Sequence, residues 1–218
     1  FIAVAGAAAG FFVSIGSGLP DISSNIAPDA SSRIYDAKGR LITTVHAEEN
    51  RIPVSIDEVP VNLQNAFVAA EDVRFYEHHG VDPRGILRAA FSNIVSGNAT
   101  GQGGSTITQQ LARNAFLNQE QTLKRKILEV ILALKIERQY TKKQILELYM
   151  NQIYFGQGCY GIETASRVYF GKNAKDLTLP QAALIAGLPN SPNYYSPFRS
   201  LEAAKYRQGI VLDQMAKY

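Results

Sequence analysis

Val61 to Gly80 reads VNLQNAFVAAEDVRFYEHHG. Its first ten residues bring Val61, Leu63, Phe67, Val68 and three alanines, Ala66, Ala69 and Ala70, to helical spacing, which predicts an apolar-faced helix over 61–70. A carboxylate pair, Glu71 and Asp72, closes that helix, with Arg74, Phe75 and His78 just behind it. An acid at the rim of an apolar wall has its pKa raised, and so can exchange a proton near neutral pH. Taken alone, the stretch reads as an ordinary helix end with solvated charges. The segments on either side change that reading.

On the N-terminal side, residues 1–19 (FIAVAGAAAGFFVSIGSGL) hold no charged residue. As a helix they span roughly 28 Å, close to the ~30 Å hydrocarbon core of a bilayer, which predicts a transmembrane anchor. A cleavable signal peptide competes, since Ala7-Ala8-Ala9 resembles a cleavage site. Residues 20–32 are rich in Pro, Ser, Asn and Asp and read as a linker. Residues 33–46 carry two short β-branched runs around Asp36-Ala37-Lys38-Gly39, a β-hairpin pattern. Asp57 and Pro60 then introduce the helix that ends at Glu71.

On the C-terminal side, residues 84–95 repeat apolar positions at helical spacing (Ile86, Leu87, Ala90, Phe91, Ile94), which core packing or contact with a bilayer surface would explain. Four glycines follow between Ser96 and Gly104 and predict a mobile loop. The loop runs into STITQQLARN, where Ser105, Thr106, Thr108, Gln109 and Gln110 offer donors and acceptors for sugar or phosphate oxygens. A helix N-cap at Ser105 or Thr106 is compatible with that use. Residues 122–140 (TLKRKILEVILALKIERQY) open with Lys124, Arg125 and Lys126, then turn apolar on nearly every side except at Glu129. The pattern predicts a buried central helix whose acid is neutralised by Arg125 at i−4 or Lys126 at i−3. A structural ion pair and a catalytic carboxylate are equally consistent with that position. Further helices are predicted over 142–151, 162–170, 179–188 and from 202 onward, with a Gly/aromatic turn at 154–161.

Hydrophobic residues make up 46% of the 218 and charged residues 19%, ample for a core, and a net charge of +3 gives no argument for a nucleic-acid partner. One cysteine, Cys159, excludes an intramolecular disulfide and suggests no thiolate metal site. The three histidines, two of them adjacent, lack zinc-ligand spacing.

Together these segments resemble the peptidoglycan glycosyltransferases, the transglycosylase modules of class A penicillin-binding proteins and their single-module relatives. Five ordered motifs between Arg33 and Tyr218 carry the resemblance. They are Glu71-Asp72-x-x-Phe75-x-x-His78-x-Gly80, then Gly103 with Ser105, Thr106, Thr108, Gln109 and Gln110, then Arg125-Lys126-x-x-Glu129. The fourth is Ile145-Leu146-Glu147-x-Tyr149-x-Asn151 with Gly156 and Gly161, and the fifth is Ala186-Gly187-Leu188-Pro189-x-x-Pro192. Two positions depart from the pattern. Arg113 stands where Lys is frequent, which keeps the charge, and Gln181 stands where an acid is usual.

The resemblance implies a mainly α, lysozyme-like bilobed helical glycosyltransferase domain over 33–200, with a small β-hairpin and an N-terminal transmembrane helix. Residues 201–218 read as the start of a linker helix towards a transpeptidase domain. The chain has neither an S-x-x-K nor a K-T-G motif, so neither transpeptidase activity nor reaction with β-lactams is expected of it. The implied reaction polymerises lipid II into β-1,4 glycan with inversion and release of undecaprenyl diphosphate. Glu71 would be the general base and Glu129 the second catalytic acid, orienting cations, assisting the leaving group or holding a divalent metal, Mg or Mn, with the diphosphate. The implied substrate-binding set is Asp72, Phe75, His78, Ser105, Thr106, Thr108, Gln109, Gln110, Arg113, Arg125, Lys126 and Asn151. Implied partners are the membrane, the growing lipid-linked strand, other cell-wall synthesis proteins and a moenomycin-type inhibitor. The implied location is the bacterial cytoplasmic membrane, single-pass, with the domain on its outer side. Two rivals are a lysozyme-like enzyme that cleaves glycan and a non-catalytic lipid II-binding module. The first has no use for three cations beside a second acid, and the second has no use for either acid.

Overall fold

A computed structural model describes residues 22, 32–38, 41–45, 51–96, 103–117 and 122–218. The expected anchor over 1–19, nearly all of the 20–32 linker and residues 97–102 of the glycine-rich loop lie outside the described residues. Among the described residues no helix is long and apolar enough to cross a membrane. Two strands, β1 (Ser32–Tyr35) and β2 (Leu41–Val45), pair antiparallel with Arg33 opposite Thr44, and the register shifts between Ile34 and Tyr35. The rest is helical. The elements are α1 (Val61–Glu71), α2 (Pro83–Ser96), α3 (Ile107–Phe116), α4 (Leu123–Gln139), α5 (Lys142–Gln152), α6 (Ile162–Phe170), α7 (Leu179–Gly187) and α8 (Leu201–Lys217).

Local chemistry starts these helices where the sequence does. Thr106 caps α3 and Thr141 caps α5, each with a glutamine three residues on that returns the bond to the cap backbone. Thr122 and Ser200 cap α4 and α8 through Arg125 N–H and Ala203 N–H. Gln181, the departure in the fifth motif, accepts from Thr178 N–H at 3.0 Å at the start of α7. The amide oxygen thus performs the capping bond that a carboxylate would make.

The core forms where α1, α3, α5, α7 and α8 pack on one another. Phe67 of α1 sits edge-on to Tyr149 of α5 and to Phe155, with ring centroids 6.1 and 5.9 Å away. Leu63 and Phe67 are fully buried, and each such side chain contributes about 1.5–3 kcal/mol of apolar burial. Cys159 is a free thiol and is buried. Gly80 closes the loop after α1 with φ at +89°. A Cβ there would stand 3.0 Å from the Ala133 carbonyl of α4, so a side chain would be both strained and crowded.

One expectation needs correction. The helix over 122–140 is not buried on all sides. Glu129, Leu132, Ala133 and Ile136 form one inward stripe, while Leu134 is 41% exposed and Ile127, Leu128 and Val130 are half-buried. Its apolar run is wider than the face that α3 covers. Residues 201–217 form α8. They pack on α1 and α7, with Val211 and Ala204 buried in the common core.

Candidate active site

Glu71 is the last residue of α1, and Gln110 projects from the middle of α3. Gln110 Nε2 donates to Glu71 Oε2 at 2.8 Å, and its Oε1 accepts from the Tyr149 hydroxyl at 3.2 Å. The second Glu71 oxygen, Oε1, has no hydrogen-bond partner among the described residues. Burial raises the Glu71 carboxyl above the ordinary glutamate range. The Gln110 bond and the charges of Arg207 and Arg113 pull it back in part, and Asp72 pushes it further up.

A cavity of about 590 Å³ lies against this carboxylate, within the size range of small-ligand sites. Glu71, Ser105, Gln110 and Arg113 line one part of it, and Asn190, Tyr195, Tyr206, Arg207 and Gln214 another. Glu71 is the single acid among the lining residues, against two arginines. The cavity therefore carries one carboxylate on a net cationic wall, a combination suited to an anionic ligand.

Glu129, 1% exposed, lies one layer behind. Its Oε1 accepts from Arg125 and its Oε2 from Lys126 Nζ at 2.9 Å. Lys126 also donates to Ser105 Oγ at 2.7 Å, so a continuous chain runs from Glu129 to the cavity wall. The Lys126 side chain remains 43% exposed and open to a ligand. Both Glu129 oxygens are occupied by cations, and no group of three potential metal ligands occurs among the described residues. This donor set does not fit a cation held by the protein itself.

The remaining expected ligands build the walls. Asp72, past the end of α1, accepts from Ile107 N–H at 3.1 Å and faces His78 Nε2 at 2.9 Å, which ties α1 to the start of α3. Thr106 donates to the Gly80 carbonyl, Gln109 completes the α3 capping box, and Thr108 donates to Glu137 at 2.6 Å. Phe75 is fully buried against Tyr76 and His78, with Lys142 Nζ 4.5 Å from its ring centroid. Asn151 spends both ends of its amide on Val54, accepting from its N–H at 3.0 Å and donating to its carbonyl at 2.8 Å. Glu147, from the same motif, accepts from Ile56 N–H. The bonds of Asp72, Thr106, Thr108 and Asn151 run inside the protein and tie the walls of the site together.

Sequence reasoning missed the α8 face of the cavity. Arg207 lies 5.9 Å from the Tyr195 ring centroid, and its Nε points to the Gly187 carbonyl at 3.4 Å. The spacing of Tyr206, Arg207, Ile210 and Gln214 at one face of a helix was the available signal.

The model of the family described as Transglycosylase matches residues 38–216. The chain belongs to the transglycosylase family. Penicillin-binding protein 1A of Aquifex aeolicus is 51% identical over 207 residues, covering 94% of this chain and 28% of that protein. Penicillin-binding protein 1A of Escherichia coli is 49% identical over 213 residues, 97% of this chain and 25% of the relative. The transglycosylase chain thus spans about a quarter of the length of these relatives. A crystal structure of penicillin-binding protein 1A from Haemophilus influenzae covers 85% of the chain and 18% of its own at 27% identity, with a TM-score of 0.43, too low to bear on the fold.

Proposed function

We propose that this transglycosylase chain is a peptidoglycan glycosyltransferase that extends glycan from lipid II. The carrying observation is the Glu71 carboxylate, held at one oxygen by Gln110, unpartnered at the other, and set on a cavity with two arginines. In this reading the acceptor's GlcNAc 4-hydroxyl attacks the anomeric carbon of the donor, and its proton passes to Glu71. The bond from that carbon to the diphosphate breaks, undecaprenyl diphosphate leaves with the bonding electrons, and the new β-1,4 linkage is inverted. A glutamate raised by burial is suited to accept that proton near neutral pH.

Arg113 and Arg207 on the cavity wall, and Lys126 through its exposed ammonium, would meet the charge on the leaving diphosphate. Glu129 would hold Arg125 and Lys126 in place. Ser105 and Gln110 would take sugar or phosphate oxygens. The site would sit in a lysozyme-like bilobed domain, anchored by residues 1–19 in the bacterial cytoplasmic membrane with the domain outside. A moenomycin-type inhibitor would compete for the cavity. A cation that accompanied the diphosphate would be held by the substrate rather than by Glu129.

The test is incubation of the detergent-solubilised protein with labelled lipid II and gel separation of the products. A ladder of lengthening glycan, lost in Glu71→Gln, is the expected result. Cleavage of preformed strands without growth, or growth at the wild-type rate in Glu71→Gln, would defeat the reading.

A further inference from the structure

Tyr149 belongs to α5, not to the cavity wall, and its side chain is fully buried with its ring edge-on to Phe67. Its hydroxyl lies 3.2 Å from Gln110 Oε1, while Gln110 Nε2 lies 2.8 Å from Glu71 Oε2. A glutamine amide has one accepting end and one donating end, and both orientations fill the same space. The ionised carboxylate only accepts, so it takes the amide NH₂ and turns the amide oxygen to Tyr149. Burial first, and the Glu71 charge second, push the Tyr149 hydroxyl well above its ordinary pKa, so it stays a donor. With the NH₂ held by the carboxylate, the hydroxyl donates to the amide oxygen and anchors the amide from its far end.

We propose that Tyr149 is a positioning residue whose hydroxyl anchors the Gln110 amide, so that the amide donates to one oxygen of Glu71 and leaves the other to receive the proton. The proposal rests on the reading of Glu71 as the base. Without the hydroxyl, the buried amide oxygen loses its donor and the amide its anchor, so the amide swings away and its bond to the carboxylate loosens. Ionised Glu71 then loses its closest neutral donor, and its titration moves to higher pH. The other groups facing Glu71 are Arg113 of α3, Arg207 of α8 and Asp72 beside it, and the substitution leaves all three in place.

Tyr149→Phe keeps the ring packing and removes only the hydroxyl. The expected result is a ¹³C-carboxyl titration of Glu71 displaced to higher pH, with the acid limb of the rate of glycan formation displaced the same way. Turnover should fall about tenfold while KM changes by less than about twofold, the signature of a group that acts on the chemical step. Gln110→Met, which keeps the chain length without the amide, should give the same displacement, and Tyr149→Phe should add nothing in that background. An unmoved Glu71 titration in a Tyr149→Phe protein of near wild-type melting temperature overturns the relay, as do additive effects of the two substitutions. Should Tyr149→Phe not fold, an unmoved titration in Gln110→Met overturns it equally. If instead the titration shifts as expected but Glu71→Gln still extends glycan at the wild-type rate, the base assignment falls and the hydrogen-bond relay stands.

Discussion

Glu71 and Glu129 are two carboxylates on helices of the same domain, and the fold treats them in opposite ways. Glu129 is enclosed, and each of its oxygens is met by a cation from its own helix, at i−4 and i−3. Glu71 has no cation in hydrogen-bond contact. It has one neutral amide, one unpartnered oxygen and a cavity beside it. A buried charge that is paired on both oxygens is fixed in place, whereas one that is half-satisfied is held in readiness to take a proton. In the proposed reading, the contrast separates an acid that organises cations from one that takes the proton.

The largest effect that could break this comparison is on rate. Glu71→Gln should lower glycan extension by about 10³-fold or more, the range for loss of a general base. Next comes Arg125→Ala, which leaves Glu129 buried with one cation. About 3 kcal/mol of stability should go, and the melting temperature should fall by roughly 6–12 °C. Binding of lipid II should weaken alongside, and unchanged binding would reduce the Arg125–Glu129 pair to a structural role.

Asn151→Ala should cost about 2 kcal/mol through two buried bonds to Val54, with KM for lipid II little altered. A raised KM at unchanged melting temperature would return Asn151 to the ligand site. The smallest effect sharpens the comparison from the stability side. Folding raises the Glu71 carboxyl above its ordinary value of 4.5, so the folded chain binds this proton more tightly than the unfolded one. The stability tied to that proton is fully present below the ordinary value and is lost as pH rises through the folded pKa. Glu71→Gln, with no proton to lose, should therefore melt above wild type at neutral pH and no higher at about pH 4, as followed by thermal denaturation. Equal melting temperatures at neutral pH would mean that Glu71 is ionised without penalty.

Much of this architecture was open to reading from the chain. The apolar spacing of 61–70, the capping threonines Thr106 and Thr141 and the i−4/i−3 cations of Glu129 all act within one helix, where sequence separation and spatial separation are coupled. The chain is silent where a polar residue has two uses. Thr108 and Asn151 carry hydroxyl and amide groups that suit a sugar, yet their partners, Glu137 and Val54, lie 29 and 97 residues away. Spacing carries no information about such partners. The burial of α8 was equally out of reach, because it depends on α7 and on α1, whose last residue lies 130 positions before the first of α8.

By itself, then, the sequence determined the helices, their caps, the paired state of Glu129 and the family. Those rest on local periodicity and on residue types at short, ordered spacings. The tertiary structure decided which polar residues face the cavity, brought Arg207 opposite Glu71, and passed the Tyr149 hydroxyl through Gln110 to the carboxylate. Contacts of that kind join three or four helices at once, and only packing of the whole core brings their side chains within hydrogen-bond reach.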